Sequence, residues 1–201
     1  MTPTSPEKAT RMGAADRRAL VLAAATRAFA REGFAGTTTD AVAREAQVSQ
    51  PYVVRIFGSK LDLFVEVLTA AGERIRAAFA AELARVPFDP EDQDDWARIG
   101  GVYARLLADR DHLLVLMQGF TASSVPEIGR VSRRAMALIH RDLAATGADP
   151  ERIRAFIAQG MLLNVMIAIE APQHLGEDAD VDALSACAFV DGLDPREFTG
   201  T

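Results

Sequence analysis

Gln50, Tyr52 and Arg55 sit close together in one short segment, and an amide, a phenol and a guanidinium are groups that hydrogen-bond to base edges and phosphates. Their spacing matters as much as their chemistry. Val53 and Phe57, four apart, read as the buried stripe of a short helix, which leaves Gln50, Pro51, Tyr52, Val54 and Arg55 on its outer face. On such a face Gln50 can pair bidentately with adenine, Arg55 can reach guanine or a phosphate, and Pro51 and Tyr52 can pack on thymine methyls. Each good base contact contributes about 1–3 kcal/mol of discrimination. Thr38, Thr39, Tyr52 and Lys60 suit phosphates, and Ser49 completes the candidate DNA-binding set from the start of the helix. The plainer alternative is that Tyr52 packs against a neighbouring helix and Arg55 is only solvated.

The surrounding residues supply the elements that hold this face in place. A first short helix starts at a hydroxyl cap near Thr38 and turns Val42, Ala43 and Ala46 inward. A turn follows at Gln47 and Val48. Ser49 can cap the next helix, whose first turn tolerates Pro51 because N–H groups there have no intrahelical partner. Ser59 with Asp62 reads as a capping box opening a third helix with Lys60 in its first turn. Two short helices joined by a tight turn form a helix-turn-helix, and a helix from about Ala15 to Glu32, with Leu22, Ala25 and Phe29 inward and Gly33 at its exit, completes a three-helix head.

The 201 residues are 49% hydrophobic, enough for a real core, and only 6% aromatic, so the helices pack through small side chains. A net charge of −6 argues against nucleic acid until it is divided. Residues 1–65 carry nine basic and six acidic side chains, and residues 66–201 carry thirteen and twenty-two. A basic head can face phosphates while an acidic body discourages indiscriminate sticking. The single cysteine, Cys187, excludes an internal disulfide, and no apolar run is long enough to span a membrane. Residues 1–14 lack the apolar centre of a signal peptide, so a cytoplasmic bacterial protein is expected, with no membrane partner.

Apolar residues recur three and four apart throughout, and nothing alternates with period two. A long helix from Lys60 to about Arg85 places Phe64, Leu68, Ala71, Ile75 and Phe79 on one stripe and joins head to body. Pro87 and Pro90 break the chain. Further helices are expected near 91–109, 111–122, 126–146, 150–170 and 179–190, with Asp111 capping the sixth, Pro126 opening the seventh, Gly147 ending it, Asp149-Pro150 starting the eighth and Ala171-Pro172 terminating it. The fold class is therefore all-α with about nine helices. Its expected divisions are a disordered leader (1–14) whose Lys8 and Arg11 brush DNA, a helix-turn-helix domain (15–62), a larger helical body (63–192), and a frayed tail (193–201).

These residues resemble the tetracycline-repressor (TetR) family of bacterial transcription regulators. The resemblance runs from about Val21 to Phe64 and rests on Val21-Leu22, Ala25, Phe29, Gly33-Phe34, Thr37-Thr38, Val42-Ala43, Ala46, Val48-Ser49, Phe57, Ser59-Lys60 and Leu63-Phe64. The Gln50-Pro51 pair also occurs in the family's namesake. Four positions depart from the pattern: Gln47 stands for the usual turn glycine, Val54 for a phosphate-touching tyrosine, Ile56 for histidine or tyrosine, and Asp40 where a basic residue is common.

The resemblance implies a homodimer whose paired heads read a palindrome in successive major grooves, about 34–36 Å apart. It also implies that the eighth and ninth helices form the dimer surface, with Phe156, Ile157, Gly160, Leu163, Val181, Leu184 and Ala188 as its candidates. A pocket for a small, mostly apolar effector is the family's second implication. Its candidate lining is Phe64, Leu68, Trp96, Tyr103, His112, Met117, Gln118, Phe120, Met136, Met161 and Asn164. These apolar residues serve equally well as plain core, whereas His112, Gln118 and Asn164 are costly to bury without partners.

Enzyme readings find little support. Ser123-Ser124 lacks the glycine frame of a nucleophile elbow, Gly100 and Gly101 fall in a helix, and the three histidines with Cys187 lack zinc-ligand spacing. The acidic run from Asp89 to Asp95 lacks the glycine and terminal glutamate of a calcium loop. No enzyme, metal or cofactor is therefore expected. The expectation is a DNA-binding repressor, and its rivals are a regulator-like adaptor working through protein contacts and a small-molecule carrier without specific DNA binding.

Overall fold

The computed structural model describes residues 13–189 and Phe198. The leader before residue 13, with Lys8 and Arg11, and the tail apart from Phe198 lie outside the described residues. Within them the chain is all helical: α1 (Ala14–Gly36), α2 (Thr39–Glu45), α3 (Gln50–Phe57), α4 (Lys60–Arg85), α5 (Gln93–Leu107), α6 (Arg110–Thr121), α7 (Pro126–Ala144), α8 (Pro150–Ala168) and α9 (Ala179–Ala188), with one 3-10 turn at Ala171–His174.

Each boundary has a local cause. The regular part of α1 stops at Gly33, whose φ of 71° favours glycine, and one further turn carries the chain to Gly36. The Thr37 hydroxyl, fully buried, donates to the Ala28 and Gly33 carbonyls and closes that exit. Thr38 caps α2 by accepting from the Ala41 N–H, and Ser59 and Asp62 form the reciprocal capping box of α4. The sixth helix begins earlier than its sequence suggests: Asp109, not Asp111, accepts from the His112 N–H and serves as the cap. The eighth ends before the proline, because Glu170 enters the left-handed region at φ 61° and the Ala171-Pro172 pair starts the 3-10 turn instead.

α1, α2 and α3 form the head around Val21, Ala25, Phe29, Val42, Val53 and Phe57. α4 begins in that cluster and continues into the body, where Ile75 and Phe79 reach the packing of α5, α7 and α8. α6 lies along α1 and makes the second head-to-body junction. There Leu68 of α4 fills the space over Gly119, where a Cβ would stand 2.6 Å from Leu68 Cδ1. Ion pairs brace the same helices: Arg76 of α4 reaches Asp142 of α7 at 2.6 Å, and Arg98 of α5 reaches Glu82 of α4 at 2.8 Å.

The turn between α2 and α3 has the paired hydrogen bonds of a Schellman ending, Val48 N–H to the Ala43 carbonyl (2.9 Å) and Gln47 N–H to the Arg44 carbonyl (3.1 Å). That geometry needs a left-handed residue, and Gln47 supplies it at φ 54° despite its Cβ. Gln47→Gly is accordingly expected to stabilise the fold by about 0.5–1 kcal/mol, as measured by chemical denaturation. A loss of stability would show that the Gln47 side chain makes up for its strained backbone.

Candidate nucleic-acid interface and body cavity

α3 is amphipathic as its spacing implies. Val53 and Phe57 are buried, Pro51, Val54 and Arg55 are exposed, and Gln50, Tyr52 and Ile56 are half-buried. Ser49 occupies the cap position, but its hydroxyl accepts no capping hydrogen bond. The exposed hydroxyl is thus left to solvent or a ligand.

The polar side chains on this face hold one another. Gln50 Nε2 donates to Thr39 Oγ1 at 3.2 Å, which joins the first turns of α2 and α3 and fixes the direction of the amide. Two guanidiniums lie over the Tyr52 ring, Arg55 at 5.1 Å and Arg17 at 5.7 Å from its centroid. Tyr52 also packs partly against the core, so the plainer reading of this residue is half right, while Arg55 is stacked and not merely solvated. Arg17 of α1 is the residue that sequence reasoning missed. Only the fold brings it to this face, although its place in the basic head was a usable signal.

Two candidate phosphate ligands have structural duties. Thr38 caps α2, and Lys60 donates to the Ala35 carbonyl at 3.2 Å while lying 4.8 Å over the Phe34 ring. Lys60 is therefore already engaged at the α1 exit, and a phosphate there would share its ammonium. Two acidic residues of the head are balanced by arginines. Asp40 pairs with Arg44 at 3.2 Å, and hydrogen bonds from Arg27 and Arg31 hold the Glu45 carboxyl below its ordinary range.

The body holds a cavity of about 490 Å³ between α5 and α8, with Trp96, Tyr103, Phe156 and Leu163 in its wall and Gln93 and Arg152 among its polar residues. A smaller one of about 40 Å³ shares Tyr103, Phe156 and Gly160 with it and adds Ile75, Phe79, Met136 and Met161. An aromatic chain runs through both: Trp96 meets Phe156 at 5.2 Å, Phe156 meets Phe79 at 6.0 Å, and Phe79 meets Tyr103 at 6.2 Å. The buried Tyr103 hydroxyl donates to Asn164 Oδ1 at 2.8 Å, and burial pushes its pKa up to about 12.

Of the expected pocket residues, Trp96 and Tyr103 line the larger cavity, Tyr103, Met136 and Met161 line the smaller, and Asn164 supports Tyr103 from behind. The others line neither. Phe64 packs on Phe29 and Phe34, Leu68 lies against Gly119, Met117 packs on the core, Gln118 rests on Gly33, and Phe120 is at the surface. The reason is that α6 and the start of α4 use their inner faces to join head to body. His112 is buried there, and its Nε2 has no hydrogen-bond partner.

The expected dimer residues also divide. Phe156, Gly160, Leu163 and Ala188 line the larger cavity and Ile157 the smaller, because α8 turns that stripe toward α5 and α7. Val181 is half-buried. Leu184 is outward at 49% exposure, and Val165 of α8 and Ile169 just past its end are exposed at 42% and 56%. Among the described residues no group of three or more His, Cys, Asp or Glu side chains is placed to hold a metal, and no helix is long and apolar enough to cross a membrane.

Burial, with Arg74 nearby, lowers the His112 pKa to about 4, while Asp109 opposes the shift. The unfolded chain, near 6.5, then binds more protons than the folded one between these values, so stability falls as pH drops from about 6.5 toward 4. His112→Leu is expected to flatten this dependence by up to about 1.4 kcal/mol per pH unit in denaturation curves. An unchanged slope would assign the dependence to other groups.

Comparison with known proteins follows the same lines. Residues 21–67 match the family described as bacterial regulatory proteins, tetR family. Among solved structures, a TetR-like transcriptional regulator from Rhodococcus sp. RHA1 is 24% identical, with 89% of this chain and 96% of that chain covered and a TM-score of 0.64. A TetR-family member from Streptomyces coelicolor A3 is 25% identical, with coverages of 86% and 98% and a TM-score of 0.61. The multidrug binding protein EbrR, complexed with proflavin, is 26% identical, with coverages of 85% and 99% and a TM-score of 0.53. No curated protein matched.

Proposed function

We propose, from the match of residues 21–67 to the tetR family of bacterial regulatory proteins, that the chain is a homodimeric cytoplasmic repressor that binds a palindromic operator and is released by a small, mostly apolar effector. The observation that carries this reading is the outer face of α3, where Gln50 is aimed by Thr39 and two guanidiniums flank Tyr52. Gln50, Pro51, Tyr52 and Arg55 would meet base edges, and Thr38, Thr39, Ser49 and Lys60 would hold the backbone beside them. The net basic charge of residues 1–65 supports the same polarity.

One helix of this length spans only a few base pairs, so two heads are needed for a selective site. The apolar residues that α8 and α9 leave outward, Val165, Ile169 and Leu184, give a second copy a face to bury. The effector would occupy the larger cavity, for which the proflavin complex of EbrR is a precedent in another chain. Filling it would press Phe156 and Tyr103 against Phe79 and tilt α4, whose first turn is tied to the head through Lys60. About 5.5 kcal/mol of preference for the released state would carry the switch from 1:99 to 99:1.

Selection of bound fragments from random DNA is expected to yield a palindrome, whose affinity drops steeply between low and moderate salt. Tyr52→Ala and Arg55→Ala are each expected to weaken binding to that fragment about tenfold or more in a mobility-shift titration. Full binding by the double variant would rule out α3 as the reading helix.

A further inference from the structure

Resting on the reading of the larger cavity as an effector site, the geometry points to an amphipathic carboxylate as the effector class, with its anionic head on Arg152 and its apolar body in the groove between α5 and α8. The polar groups of the wall select this chemistry: Gln93 is exposed at the start of α5, and the others divide by how firmly they are held. Trp96 Nε1 already donates to the Pro90 carbonyl at 2.9 Å, Tyr103 donates to Asn164, and Gln159 Nε2 donates to the Cys187 and Ala188 carbonyls. These donors are satisfied from within the fold. Arg152 is held far less firmly. Among the described residues its ion pair is with Glu91 at 3.8 Å, and the Glu91 side chain is 75% exposed, whereas the Arg76 to Asp142 pair elsewhere in the body closes to 2.6 Å. A ligand carboxylate can displace so loose a partner and form the paired hydrogen bonds a guanidinium favours. Among the described residues Arg152 is also the one cationic residue of the wall, set in a body whose net charge is negative.

The opposite wall supplies the second argument. Gly100 and Gly101 lie side by side in the middle of α5, where glycine weakens a helix more than any residue except proline. The fold itself does not require them. A Cβ at Gly100 would meet Phe156 Cε2 at 3.8 Å and one at Gly101 would meet Arg105 Nη1 at 3.4 Å, both tolerable contacts. Side chains there would narrow the groove. The floor then continues past Tyr103, Phe156 and Gly160 toward Ile75 and Phe79 of α4, so an apolar tail longer than the groove runs toward the helix that enters the head.

Trp96 is the only tryptophan of the chain and stands in the cavity wall, so its emission reports occupancy without a label. Decanoate, 1-decanol and decylamine are titrated against the full-length protein. The proposal expects a saturable emission change with decanoate, at least tenfold tighter than decanol, and weaker binding of decylamine. Arg152→Gln should bring decanoate to the level of decanol and leave decanol unchanged. Gly100→Ala should raise the melting midpoint of the free protein by about 2–4 °C and weaken decanoate binding. Equal binding of decanoate and decanol, indifferent to Arg152→Gln, would overturn the carboxylate while leaving the cavity an effector site. No saturable change with any probe, in protein that still binds its selected operator, would overturn the cavity as a site and leave the DNA-binding reading intact. An emission change that follows protein concentration instead of added probe would give the groove to a second copy and overturn the proposal as well.

Discussion

Phe64 is fully buried where α4 starts, with its ring 4.8 Å from Phe29 and 5.1 Å from Phe34 of α1. Burying one such side chain stabilises the fold by about 1.5–3 kcal/mol. Its position matters more, because α4 enters the body from inside the core of the head. Lys60, one turn earlier, fastens the same helix to the α1 exit through the Ala35 carbonyl and the Phe34 ring. Four turns further on, Phe79 of the same helix touches Tyr103 and Phe156 in the cavity walls. A stiff helix with one end in each cluster cannot tilt at one end alone.

The second junction, α6 along α1, explains why the polar residues of α6 are placed as they are. Gln118 lies against Gly33, where α1 loses its regular turns, and His112 is buried near Arg74 and Asp109. They line neither cavity. The inner face of α6 also meets α7, where the buried Ser132 hydroxyl donates to the Gly119 carbonyl at 2.8 Å, beside the space that Leu68 fills over Gly119.

The head achieves its polar surface by internal pairing. Gln50 is held by Thr39, Arg17 and Arg55 by the Tyr52 ring, Asp40 by Arg44, and Glu45 by Arg27 and Arg31. Side chains ordered before binding lose less conformational entropy on contact, so the face of α3 is prepared for a ligand of fixed geometry. The positive φ of Gln47 contributes by setting the angle between α2 and α3 at the cost of local strain.

Helices, caps and the head were readable from residue types alone, because 3.6-residue periodicity, the Ser59 and Asp62 box and the Asp149-Pro150 start depend on neighbours a few positions away. The amphipathic split of α3 was legible for the same reason: Val53 and Phe57 define one side, so the other side follows. The cap of α6 was misplaced by two residues, since Asp109 and Asp111 offer the same chemistry and only the path of the chain selects between them. Periodicity says that a stripe is buried, but not against what. Phe156 and Leu163 therefore read as a surface between subunits and line a cavity within the single chain, Phe64 and Leu68 read as pocket and instead pack α4 against α1 and α6, and Arg17 carried only the general signal of a basic head until folding laid it on Tyr52. Local structure is set by short-range sterics and hydrogen bonds that the sequence states outright; which buried faces meet depends on long-range packing, and only the tertiary structure decided that.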